Sequence, residues 1–135
     1  MEPAVGQRLP EFKIDSVSPE RMKLLAAILR DPNPIHWDGD EVARRGLGHR
    51  VINQGPINLG YITNMLMEWA GPSCIRHLEA RFTSNVFDGD SVVATGVVTA
   101  VREDNGERLV DCDVWLDRGG GGRAVEARAT VAIRR

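Results

Sequence analysis

Gly55-Pro56-Ile57-Asn58-Leu59-Gly60-Tyr61-Ile62-Thr63-Asn64-Met65-Leu66-Met67-Glu68-Trp69-Ala70 is the stretch whose reading decides the architecture. Ile57, Leu59, Ile62, Met65, Leu66, Met67, Trp69 and Ala70 spread over most of a helical wheel, and no Lys or Arg interrupts them. A helix that is apolar nearly all round is a buried one. The segment is therefore expected to lie inside the molecule, and Gly71-Pro72 ends it.

From Cys74 onward the pattern becomes that of strands. Leu78, Ala80 and Phe82 alternate with Glu79, Arg81 and Thr83, and the run ends at the Asp88-Gly89 turn. Ser91 to Val101 is rich in Val and Thr, and Asn105-Gly106 is a strong hairpin signal. Arg108 to Leu116 and Ala124 to Ile133 supply two more strands on either side of Gly119 to Gly122. No lysine follows those glycines, so they do not read as a phosphate loop. Upstream, a short extended segment around Phe12-Lys13-Ile14 precedes Ser18-Pro19-Glu20. There a serine can cap free amides, a proline fits the first turn and an acid suits the helix dipole. Met22, Leu25, Ala26 and Leu29 then recur at helical spacing, so that stripe is expected to face a core. Pro32 and Pro34 end the helix and bias Asp31 and Asn33 towards extended angles. A short second helix is expected from Asp38 towards Arg45, stopped by Gly46.

A buried helix followed by about four long antiparallel strands packs economically as a sheet curled around that helix. This is an α+β architecture, the hotdog fold, and residues 1–135 form a single domain of it. One curled sheet leaves an edge strand and part of its face exposed. Pairing two copies hides both, so a double-hotdog dimer is expected at minimum.

The composition narrows the function classes. Of 135 residues, 42% are hydrophobic and 27% charged, as in ordinary soluble domains. Seventeen Lys and Arg against nineteen Asp and Glu leave a net charge of −2, with the signs interspersed, which argues against nucleic acid as a partner. No apolar run approaches the ~18 residues that cross a bilayer, and Met1-Glu2-Pro3-Ala4-Val5-Gly6 lacks the pattern of a secretory signal. Cys74 and Cys112 show no metal spacing and read as reduced thiols of a cytoplasmic protein.

The chemistry concentrates in Arg30-Asp31-Pro32-Asn33-Pro34-Ile35-His36-Trp37-Asp38. An acid and a histidine stand five residues apart, joined by a segment that two prolines stiffen. General acid–base groups need such stiffness, because both must reach one water or proton. Histidine exchanges protons near neutral pH, and a carboxylate can orient and polarise a water. On spacing alone, a plain turn between two helices explains the same residues as well.

Asp31-Pro32-Asn33-Pro34-Ile35-His36 resembles the Asp-x-Asn-Pro-x-His signature of the MaoC-like, or hydratase 2, branch of the hotdog superfamily. That branch includes (R)-specific 2-enoyl-CoA hydratases and 3-hydroxyacyl-ACP dehydratase subunits. Gly6-Gln7-Arg8-Leu9-Pro10 and Val51-Ile52-Asn53-Gln54-Gly55 resemble the family's opening and the lead-in to its central helix. Tyr61 to Pro72 is similar to actinobacterial members, and Arg81-Phe82 with Val86-Phe87-Asp88-Gly89-Asp90 resembles the Arg-Phe strand and the turn after it. The resemblance implies a lyase of lipid or fatty-acid metabolism that hydrates a 2-enoyl thioester reversibly to the (R)-3-hydroxyacyl thioester. Asp31 and His36 would activate one water, and the backbone N–H of Gly55 would receive the enolate charge. Asn33 would brace the loop. Thr63 stands where some members carry a serine, and would bond either Asp31 or its own helix. No metal or prosthetic group is implied, since CoA or phosphopantetheine belongs to the substrate.

The chain departs from the family in carrying Gln54-Gly55 for the usual His-Gly, and Arg30 for the usual glycine before Asp31. Similarity to steroid-degrading heteromeric hydratases around Arg30-Asp31 and Trp69-Ala70-Gly71-Pro72 raises an alternative. In it this chain is one subunit of an enzyme for a bulky acyl-CoA, completed by a second hotdog chain. A hotdog thioesterase is a weaker rival, because the central helix offers only Glu68 as a carboxylate. A non-catalytic subunit would have no need of both Asp31 and His36. His49 and His77 read as structural or exposed, and Trp37, Trp69 and Trp115 as packing residues. Arg44, Arg45 and Arg50 either meet a CoA phosphate or are simply solvated.

Overall fold

The computed structural model describes residues 2–134. In chain order it contains β1 (Phe12–Ile14), α1 (Pro19–Leu29), a 3-10 turn (Pro34–His36), α2 (Gly39–Arg44), α3 (Gly55–Ala70) and four long strands. These are β2 (Ile75–Phe82), β3 (Val92–Asp104), β4 (Glu107–Arg118) and β5 (Arg123–Ile133). All pair antiparallel in one sheet of order β1-β3-β4-β5-β2. The helix α3 crosses this sheet and touches every strand of it. This is the hotdog arrangement.

Local chemistry accounts for the element ends. Ser18 Oγ accepts from the Arg21 amide at the start of α1, and Asp38 Oδ1 accepts from the Asp40 and Glu41 amides at the start of α2. Asn105 and Gly106 both take positive φ, 49° and 78°, as a two-residue hairpin between β3 and β4 demands. Gly96 has a different reason to be glycine. A Cβ there would collide with the Asp113 carbonyl oxygen in the neighbouring β4, so the strand admits no side chain.

The core lies between α3 and the concave face of the sheet. Ile62, Met65 and Leu66 pack there against Val98, Cys112 and Val131. The expectation of a helix buried all round is corrected in part. Asn58, Ile62, Met65 and Leu66 are the fully buried residues of α3, Asn64 and Glu68 are exposed, and Tyr61, Thr63 and Met67 are half-buried. A single sheet covers one side of a helix, and the other flank stays open. In α1, likewise, Met22 and Ala26 are buried as expected, whereas Leu29 is exposed together with Leu24 and Ile28. The edge strand β2 is exposed along most of its length, so the Leu78, Ala80, Phe82 alternation does not mark a buried face.

Candidate active site

Asp31 and His36 come together through three local devices. The first closes α1: Arg30 adopts left-handed angles (φ 52°, ψ 41°), and the amides of Arg30 and Asp31 both return to the carbonyls of the last turn. That reversal turns the chain back at Asp31. The second is Asn33, extended as the following proline requires, at φ −70° and ψ 113°. Its amide donates to Asp31 Oδ1 at 3.0 Å, and its own Oδ1 accepts from the Ile35 amide and from Arg45 Nη1. The third is the 3-10 turn started by Pro34, which carries His36 inward until the residue is buried.

His36 Nδ1 lies 2.7 Å from the Ile52 carbonyl oxygen. A carbonyl only accepts, so Nδ1 carries the hydrogen and donates, leaving Nε2 as the working nitrogen. Nε2 faces Asp31 Oδ2 at 3.2 Å. A bare lone pair and an ionised carboxylate repel at that distance. A proton placed on either atom would be hydrogen-bonded to the other at this distance.

The same segment leads into α3. Ile52 is held by its amide to the Ile35 carbonyl, and Asn53 by its amide to the Val86 carbonyl. Gly55 follows Ile52 by three chain steps, a span of at most about 11 Å, so the imidazole and the start of α3 share one neighbourhood. Gly55 is the first residue of α3, where an amide has no partner within the helix and the helix dipole favours negative charge. Before it, Gln54 is fully buried and donates Nε2 to the Met22 carbonyl of α1 at 2.8 Å. Asn53 donates Nδ2 to Asn58 Oδ1 and to the Tyr61 hydroxyl, and burial raises the Tyr61 phenol above its ordinary pKa.

Thr63 does not reach Asp31, for its hydroxyl donates to the Gly60 carbonyl of its own helix at 2.9 Å. Asn33 spends its backbone amide and side-chain oxygen on hydrogen bonds to Asp31, Ile35 and Arg45. Arg44 and Arg45 are occupied with Glu41, whose carboxyl they hold below its usual range, and Arg50 binds Asp90 and the Asp88 carbonyl. His49 and His77 are exposed, and His77 lies 3.6 Å from Glu79, an acid that the sequence reading did not pair with it. Trp69 packs on the core, Trp37 is exposed and so not the packing residue expected, and the guanidinium groups of Arg8 and Arg123 lie 5.3 and 4.5 Å from the Trp115 ring. Cys74 and Cys112 are buried free thiols. Among the described residues no three His, Cys, Asp or Glu side chains gather as a metal site would require. Two hollows, of about 770 and 720 Å³, lie at the C-terminal end of α3 and on the outer face of the sheet, and neither is lined by Asp31, His36 or Gly55.

Two features escaped the sequence. The Ile52 carbonyl that orients His36 is a backbone group and leaves no side-chain signal. Arg45 clamps Asn33 from α2, a contact that the alternation of charges along a short helix does not announce.

Comparison with known proteins agrees with this fold. The family model described as MaoC like domain matches residues 2–116. The chain belongs to the MaoC-like domain family. Among solved structures, the MaoC-like chain is similar to the (R)-hydratase from A. caviae involved in PHA biosynthesis. Identity is 26%, coverage 97% of each chain and TM-score 0.85. It is similar also to a chain of the ChsH1-ChsH2 complex from Mycobacterium tuberculosis, with 26% identity over 97% of this chain and 98% of that one, TM-score 0.82. A MaoC-like dehydratase from Rhodospirillum rubrum shares the fold at 22% identity, covering 98% and 93% of the two chains with TM-score 0.81. No curated protein matches. Among the described residues no helix is long and apolar enough to cross a membrane.

Proposed function

We propose that this MaoC-like chain is a hydro-lyase that interconverts a 2-enoyl thioester of CoA or acyl carrier protein and its (R)-3-hydroxyacyl thioester. The observation that carries the reading is the orientation of His36, with Nδ1 committed to the Ile52 carbonyl and Nε2 turned to Asp31. Similarity to an (R)-hydratase supports it.

With one proton placed between Nε2 and Oδ2, the pair can take a proton and give one in the same cycle. In hydration a water held between the two side chains attacks the β-carbon, and His36 Nε2 takes one of its protons. Charge moves through the double bond onto the thioester oxygen, where the Gly55 amide receives it as a fixed donor. Asp31 Oδ2 then delivers the shared proton to the α-carbon. The proton gained by His36 Nε2 now lies between the two groups, so the pair returns to its starting state. Dehydration runs the same steps backwards. The acyl carrier, CoA or phosphopantetheine, enters as part of the substrate, and the chemistry asks for no further cofactor.

The chain's similarity to a member of the ChsH1-ChsH2 complex favours a second reading, in which another hotdog chain completes the enzyme. The exposed Leu24, Ile28 and Leu29 of α1 and the open flank of α3 are surfaces that such a partner, or a second copy, would cover.

Purified protein given crotonyl-CoA and longer enoyl-CoAs is expected to remove the absorbance of the conjugated thioester. Release of free thiol would point instead to a thioesterase, and turnover that appears only with a second hotdog chain would establish the heteromer. Asp31→Asn and His36→Ala are each expected to lower turnover by about 10²–10⁴-fold while circular dichroism stays that of the parent. Near-parental turnover in either variant would remove the dyad from the mechanism.

A further inference from the structure

Phe82 is the last residue of β2, and 54% of its surface is exposed. Its ring nevertheless has a defined seat. A Cβ built on Gly55 would lie 3.2 Å from Phe82 Cζ, 3.3 Å from Cε1 and 3.6 Å from Cε2, so the outer edge of the ring occupies the space of the side chain that residue 55 lacks. Gly55 does not sit at positive φ, unlike eight other glycines of the chain. The close approach of this ring, not backbone conformation, is thus what a side chain at 55 would violate.

The backbone beyond Phe82 is fixed. The Thr83 and Ser84 amides donate to the Ala124 carbonyl, and the Thr83 and Ser84 hydroxyls donate to the Arg123 carbonyl at 2.6 and 3.0 Å. On the strand side, Phe82 is in register with Val125. An aromatic ring on an anchored backbone, over half exposed and pressed edge-on against the first residue of α3, is poorly explained by core packing. The part of the ring that stays in water adds nothing to folding stability, so stability alone does not call for an aromatic residue there.

We propose that Phe82 is a substrate-contacting residue of the hydratase site, its ring forming the wall beside the Gly55 amide against which the substrate's thioester packs. This rests on the hydratase reading. With substrate in place the ring's exposed surface meets the thioester and excludes water next to the amide. In that drier setting the hydrogen bond to the developing oxyanion gains strength. The ring's edge also carries the positive part of the aromatic quadrupole, which favours a nearby anion.

The test compares the full-length wild type with Phe82→Ala, Phe82→Leu, Gly55→Ala and the double variant Gly55→Ala/Phe82→Ala, in the assembly that is active on crotonyl-CoA. Gly55→Ala keeps the amide donor, so any loss it causes comes through what the methyl displaces. Phe82→Ala is expected to lower kcat/KM about tenfold or more, with an unfolding midpoint close to that of the parent. Phe82→Leu is expected to stay within about threefold of wild type. Gly55→Ala is expected to be harmful in the parent and at least about threefold less so once Phe82 is alanine. An active wild type with Phe82→Ala unchanged, or strictly additive effects of the two sites, overturns this inference and leaves the hydratase reading standing. A wild type that turns over no enoyl thioester, alone or with a second hotdog chain, overturns the hydratase reading and this inference with it.

Discussion

Arg30 closes α1 at φ 52°, a conformation that costs a residue bearing a Cβ about 1–2 kcal/mol and costs glycine almost nothing. The strain stands one residue from Asp31, and the reversal it creates is what turns the carboxylate back towards His36. Arg30→Gly preserves the reversal and removes the steric cost, although the greater freedom of glycine in the unfolded chain returns part of the gain. The expected net effect is about 0.5–1 kcal/mol of added stability, seen as a rise of about 2–5 °C in the unfolding midpoint. A lower midpoint for Arg30→Gly would mean that the guanidinium makes a stabilising contact that outweighs the backbone strain.

Among the elements, β4 shows how burial fixes reactivity. Cys112 points into the core between α3 and the sheet, and its thiol is pushed up to about 12, first by desolvation and then by the charges of Asp111 and Asp113. In the unfolded chain a cysteine titrates near ~8.5. Between these values the unfolded state has lost a proton that the native state keeps, so stability falls as pH rises, by roughly 1.4 kcal/mol per pH unit from this group. Below pH ~8.5 the group contributes no slope. Denaturant unfolding at pH 8, 9 and 10 should show this decline, and Cys112→Ala should flatten it even though its overall stability is lower. An equal slope in both proteins would assign the decline to other groups. Elements were also what the residue pattern reported best. Ser18 as a cap, Asp38 as the start of a short helix, Asn105-Gly106 as a hairpin and Gly71-Pro72 as a stop are local chemistry, and each acts where local chemistry places it. The candidate site was legible only to the extent that it is local too. Asp31, Asn33 and His36 lie within one proline-stiffened bend, whereas the Ile52 carbonyl and the ring of Phe82 arrive from elsewhere in the fold. The burial of α3 was overstated because apolarity all round a helix does not distinguish cover by this chain's own sheet from cover by another chain.

At the scale of the whole molecule, three unsatisfied surfaces stand out among the described residues. β2 ends the sheet with one side unpaired, α3 leaves Tyr61, Thr63 and Met67 half-covered, and α1 presents Leu24 and Ile28 at 63% and 66% exposure. An unpaired edge of eight residues invites another strand, and a two-fold axis along it would join two copies into one continuous sheet. Sedimentation should then give twice the 14.9 kDa of the chain. The role of β2 can be isolated by proline substitution at Glu79 and Ala80 in turn. Successive amides of a strand point to opposite sides, so one of these prolines removes a donor towards β5, and the other removes a donor on the free side alone. The second variant should keep its circular dichroism and sediment as a single chain. If both prolines leave a dimer, the copies meet through α1 or α3 instead of through the sheet. A wild type that sediments at 14.9 kDa leaves all three surfaces to a different chain, the arrangement that the second functional reading requires.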